Sequence, residues 1–83
     1  MHIHLRLAEP FWRAVGQRDM ELELAENAQV GDLLALLLLR HPALAKELAE
    51  SPPIIFAGED EINAQAPLKD GMHLHLVWPV AGG

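Results

Sequence analysis

Two places in this chain of 83 residues carry groups that do chemistry. The first is the final run Pro79, Val80, Ala81, Gly82 and Gly83. Glycine has no Cβ, so the last two residues adopt nearly any backbone conformation and fit a channel too narrow for other residues. A free carboxylate on Gly83 is the natural reacting end of such a tail. A frayed chain end is the competing reading of the same residues. The second place is a set of imidazoles spaced two apart, His2 with His4 and His73 with His75. Imidazole nitrogen is a ligand for zinc and nickel. The chain has no Cys. That excludes disulfides, thiolate zinc sites and a thiol nucleophile. Any sulfur this protein handles is not carried on a side-chain thiol.

The length fits one domain with a small core, since a chain of this size buries only about 60% of its unfolded surface. The net charge is −6, which argues against nucleic acid or an anionic membrane as partner, because both need a basic patch. A partner with a basic docking surface fits better. His2, His4 and Arg6 interrupt the first apolar residues, so no signal peptide is legible there. The longest apolar run, Leu33 to Leu39, is far short of the ~20 residues that span a bilayer. These features predict a soluble cytoplasmic protein.

The elements that must hold the two places follow from periodicity. Met1 to Leu7 alternates, with Ile3, Leu5 and Leu7 on one side and His2, His4 and Arg6 on the other. That is a half-buried strand. Phe11, Trp12 and Val15 predict one helical turn over the core. Asp19 to Ala25 alternates again and predicts an antiparallel partner, with Glu21 and Glu23 opposite His4 or Arg6. Val30, Leu33, Leu34, Leu37 and Leu38 form the apolar stripe of the main helix, Val30 to Arg40. Leu36 and Leu39 lie outside that stripe and are expected to pack under the next segment. Pro42 is placed to open a second, short helix. Ile54 to Ala57 reads as a buried strand, Glu61 to Asn63 as a brief one, and Met72 to Trp78 as the last, alternating strand. This order predicts an α+β roll. Ile3, Leu5, Leu22, Leu34, Leu37, Phe56, Leu74 and Leu76 are expected to share its core.

The run Leu76-Val-Trp-Pro-Val-Ala-Gly-Gly83 resembles the C-terminus of the small subunit of molybdopterin synthase, the MoaD/ThiS type of ubiquitin-like sulfur carrier. Val30-Gly-Asp-Leu-Leu34, Arg40-His-Pro-Ala-Leu44 and Pro67-Leu-Lys-Asp-Gly71 also look like that family, in order and at matching lengths. The resemblance implies a single β-grasp domain over residues 1–83. It implies a mixed sheet of four to five strands, with one main helix and one short helix on one face, and residues 79–83 as a flexible tail. It also implies the function. An E1-like adenylating enzyme uses ATP to activate Gly83, a sulfur donor enzyme supplies sulfur, and Gly83 becomes a thiocarboxylate. Trp78, Pro79, Val80, Ala81 and Gly82 would form the segment that enters the large synthase subunit, in a heterotetramer, where sulfur passes to the pterin precursor. The chain itself would bind no cofactor and would not be an enzyme alone. Two other roles share this tail. One is a ubiquitin-like modifier joined through Gly83; the other is a carrier of sulfur for thiamine, cysteine or tRNA.

The β-grasp arrangement makes the first and last strands parallel neighbours. His2, His4, His73 and His75 then share the face away from the helix, and neighbouring strands lie about 4.8 Å apart. His4 and His73 are the candidate metal pair on this reading. A plain solvated face and a partner-docking face are the other two readings, and the expectation is that no metal is bound.

Overall fold

Alternation in the first seven residues produces the strand it predicts. The computed structural model describes residues 1–50 and 52–79. Strand β1 runs His2–Leu7, with Ile3, Leu5 and Leu7 buried and His2, His4 and Arg6 exposed. Helix α1, Phe11–Val15, drops Phe11 into the core. It stops at Gly16, whose φ of 93° is left-handed and whose N–H donates to the Trp12 carbonyl at 2.7 Å. Space is open around a Cβ there, so only the backbone resists a side chain. Gly16→Ala is expected to cost about 1–2 kcal/mol, the strain of the left-handed region for an L-residue, measured by denaturant unfolding.

Strand β2, Asp19–Glu23, lies antiparallel to β1, with Leu22 opposite Ile3 and Glu21 opposite His4. Glu23 faces His2 rather than His4 or Arg6, and it is Asp19 that faces Arg6. The main helix α2, Val30–Arg40, has the predicted bounds. A reciprocal bond between Gln29 and Asp32 caps it, with the Gln29 N–H donating to Asp32 Oδ2 at 2.8 Å. Helix α3, Leu44–Glu50, begins two residues after Pro42, which sits in the preceding turn. Strands β3, Ile54–Ala57, and β4, Asp60–Ile62, form a second antiparallel pair.

Strand β5, His73–Val77, completes the sheet between β1 and β3. The order β2-β1-β5-β3-β4 makes one five-stranded mixed sheet, parallel only between β1 and β5. Inward residues of the strands form one cluster with Phe11, Val30, Leu33, Leu37 and Leu44 of the helices. All helices therefore cover one face and leave the other bare. This is the β-grasp roll.

Three core expectations need correction. Phe56 is not in the core: Ile55 is the inward residue of β3, so the alternation sends Phe56 to the bare face, opposite His75. A continuous apolar run carries no phase, and that hid its direction. Leu34 is only half-buried at the edge of the cluster. Leu36 packs against the cluster, but Leu39 does not, and remains 78% exposed. Ala28 and Leu68 are buried core residues that periodicity did not reveal. They sit where the residue 63–68 loop is laced to the start of α2, by Leu68 N–H to the Ala28 carbonyl at 3.1 Å and Val30 N–H to the Ala66 carbonyl at 3.0 Å.

Candidate functional site

The root of the tail is built by β5 and α1. Ala8 N–H donates to the Leu76 carbonyl at 2.9 Å, so β1 grips the last strand to its end. One residue beyond β5, Trp78 turns its ring onto Phe11, with centroids 5.5 Å apart and planes at 49°. Such tilted aromatic contacts add to the burial they make. Trp78 and Pro79 are both half-buried. Elsewhere on α1, the Arg18 guanidinium lies over the Trp12 ring at 4.7 Å and that of Arg13 at 5.5 Å. Arg13 also pairs with Glu9 at 3.0 Å. The sequence reading did not single out this Trp12 cluster. Arg18 lies in the connection between α1 and β2 and Trp12 in α1, and the turn at Gly16 brings them together. The remaining tail residues, Val80, Ala81, Gly82 and Gly83, lie outside the described residues.

The bare face of the sheet gathers the histidines. His4 and His73 are direct partners across the parallel β1–β5 pair, and their rings stack at 4.5 Å with planes 11° apart. The expected meeting of these residues occurs, but face to face. Stacked imidazoles direct their nitrogen lone pairs side by side rather than toward one ion. Glu21 Oε1 sits on the other side of His4, 4.0 Å from His4 Nε2 and 3.9 Å from His2 Nδ1. Arg6 Nε lies 3.7 Å from Asp19. His4, Arg6, Glu21, Phe56, His73 and His75 line a shallow depression of about 560 Å³. Among the described residues no polar or charged side chain is buried, and no three His, Asp or Glu side chains close on a common point. The described residues therefore hold no desolvated acid, base or nucleophile.

A mixed sheet in this strand order, covered by helices on one face, defines a ubiquitin-like domain. The chain belongs to the ThiS family, which it matches over residues 6–83. It has the fold of the ThiS- and MoaD-type sulfur carriers. A putative molybdopterin converting factor subunit 1 from Pyrococcus furiosus superposes with a TM-score of 0.86 at 23% identity, covering 96% of this chain and 99% of that one. SAMP1 from Haloferax volcanii gives 0.86 at 22% identity over 100% of both chains. At such identities the two likenesses speak for the fold. A chain from the complex of subunits 1 and 2 of the molybdopterin-converting factor of Helicobacter pylori gives 0.67 at 25% identity, again over 100% of both. No curated protein matches the chain. No helix among the described residues is long and apolar enough to cross a membrane.

Proposed function

We propose that this protein is a sulfur carrier, the small subunit of a molybdopterin synthase. The observation that carries the reading is the extent of the family match, which runs through Gly82 to Gly83. The fold supports it by fixing the tail's root at Trp78 and Pro79. In this mechanism the Gly83 carboxylate attacks the α-phosphorus of ATP on an E1-like adenylating enzyme. Pyrophosphate leaves and an acyl-adenylate forms. The terminal sulfur of a donor-enzyme persulfide then attacks the acyl carbon and displaces AMP. A second thiol cleaves the resulting acyl disulfide, taking up the donor sulfur as a disulfide and leaving the thiocarboxylate. Gly82 and Gly83 let this end reach a recessed site, because neither presents a side chain to the channel wall. Trp78 to Gly82 form the inserted segment, and the large subunit catalyses sulfur transfer to the pterin precursor. The Helicobacter pylori complex of subunits 1 and 2 supports a large-subunit partner. ATP is used by the adenylating enzyme, and this chain supplies no catalytic side chain.

The test is intact-mass measurement after incubation with the adenylating enzyme, ATP and a sulfur donor. The expected result is one oxygen-to-sulfur exchange localised to Gly83, together with co-purification of a molybdopterin synthase large subunit. Sulfur loading with rescue of a thiamine auxotroph, but not of molybdoenzyme activity, would move the protein to the thiamine pathway. A second reading, a modifier joined to lysines through Gly83, is favoured by the likeness to the small archaeal modifier SAMP1. Isopeptide adducts of Gly83 on cellular proteins, with no loading of the large subunit, would establish that reading instead.

A further inference from the structure

We propose that the outer edge of β2 binds an extended segment of a partner protein, one with Lys or Arg at every second position. The segment adds a strand to the sheet, antiparallel to β2. The proposal does not rest on the sulfur-carrier reading. β2 is the terminal strand of the sheet, and among the described residues none pairs with its outer side. Its five residues run in unbroken register with β1, without a bulge or a proline to blunt the edge. The opposite edge strand, β4, has only three residues and offers much less to pair with.

The main chain fixes which residues face outward. The Met1 ammonium donates to the Leu24 carbonyl at 2.7 Å, and the Leu24 N–H donates to the Met1 carbonyl at 2.9 Å. The Leu7 N–H donates to the Arg18 carbonyl at 2.7 Å. Bonded and non-bonded pairs alternate along an antiparallel ladder. Ile3–Leu22 and Leu5–Met20 are therefore the bonded pairs, and His2–Glu23, His4–Glu21 and Arg6–Asp19 the non-bonded ones. The N–H and C=O groups of Asp19, Glu21 and Glu23 thus point away from β1, toward the open edge. Their side chains are exposed and lie on the bare face. Met20 and Leu24 lie on the helix side of the strand, half-buried at the rim of the core.

This alternation selects the occupant. Main-chain bonds give strand addition its affinity, and the side chains give it specificity. Residues that bond Asp19, Glu21 and Glu23 stand opposite them with side chains on the same face. A second copy of this chain, paired through its own β2, would set carboxylate against carboxylate there, and like charges directly opposite are destabilising. Lys or Arg in those places meets opposite charge. Asp19 is already engaged by Arg6 at 3.7 Å, so Glu21 and Glu23 carry most of the selection. The alternate residues of the segment turn to the helix side, beside Met20 and Leu24, where apolar side chains are covered. The net charge of −6 favours the approach of a basic segment.

The probe is a capped, fluorescent peptide, Val-Lys-Val-Lys-Val-Lys-Val, titrated into the full chain. The expected stoichiometry is one peptide per chain. Amide hydrogen exchange at Glu21 and Glu23 should slow on binding, while Met20 and Leu22, already bonded to β1, change little. N-methylation of the lysine amides removes the donors aimed at β2 and should weaken binding roughly tenfold or more. N-methylation of the intervening valine amides, which point away from β2, should leave binding unchanged, although both peptides carry the same charge. Glu21→Lys should weaken binding of the unmodified peptide about fivefold, and the same peptide with Glu in place of Lys should not bind the wild type. Absence of binding by the unmodified peptide overturns the proposal. Equal binding of the two N-methylated peptides also overturns it, because charge alone would then account for the contact. A dimer of the chain in sedimentation, with exchange at Glu21 slowed in the absence of peptide, overturns it as well and gives the edge to a second copy.

Discussion

A chain carrying one extra residue after Gly83 is expected to fold with the wild-type Tm and to fail as a sulfur donor. In an extended tail the addition displaces the carboxylate by up to about 3.6 Å. Reacting atoms must approach within roughly 3–3.5 Å, and a misplacement of that size costs about a hundredfold or more in rate. The domain itself does not feel the change, because the root of the tail is held upstream by the Trp78–Phe11 contact and the Ala8 to Leu76 hydrogen bond. Deleting Gly83 should act in the same way. Gly82→Val and Gly83→Val should also fold and react poorly, since in the proposed mechanism a β-branched side chain would crowd the passage of the tail into its partner. The measurements are thermal unfolding, intact mass after the adenylation and sulfuration steps, and molybdopterin formation with the large subunit. Full activity from an untrimmed extended chain would show that the tail is not the working part.

The largest stability effect is expected at Leu37. Its side chain is fully buried on the core stripe of α2, while Leu39, two residues on and about 200° around the helix, is 78% exposed. Leu37→Ala should cost about 2–5 kcal/mol through lost burial and the cavity left behind. A domain of this size has only about 5–15 kcal/mol of stability in total, so that loss is severe. Leu39→Ala should change stability by no more than about 0.5 kcal/mol. Denaturant midpoints of the two variants, compared with equal slopes, check both values. Equal costs at the two positions would mean that α2 is rotated about its axis from the orientation described.

The contrast between these leucines shows what periodicity conveys. The stripe of α2 was legible because a helix repeats its face, and β1, β2 and β5 were legible because alternation has a phase. The β3 run Ile54-Ile55-Phe56-Ala57 has neither, and Phe56 was accordingly assigned to the wrong side. Ala28 and Leu68 were invisible because they are brought together by loop hydrogen bonds rather than by a repeat. The meeting of His4 with His73 depended on strand register. Register followed from the β-grasp resemblance, but the stacked orientation and the place of Glu21 between His2 and His4 are properties of side-chain packing that no spacing encodes. At the tail root, Trp78 was legible as part of a motif, whereas its seat on Phe11 was not.

The parallel pairing of β1 with β5 has a consequence for how the molecule is made. His4 and His73 are partners at the centre of the sheet although they come from opposite ends of the sequence. Contacts of such long range form late, because the entropy of closing the intervening chain must be met first. A nascent chain that has not yet released residues 73–77 can pair β1 with β2, but the other edge of β1 stays open. Leu5 and Leu7 then lack Leu74 and Leu76, their neighbours across the finished sheet. Such an intermediate exposes apolar surface and an unpaired strand edge, the two features that invite aggregation or capture by chaperones. Insertion of β5 ends that exposure, and the same event sets Trp78 on Phe11. A chain with Trp78 seated on Phe11 has therefore already closed the pairing between the two ends of its sequence.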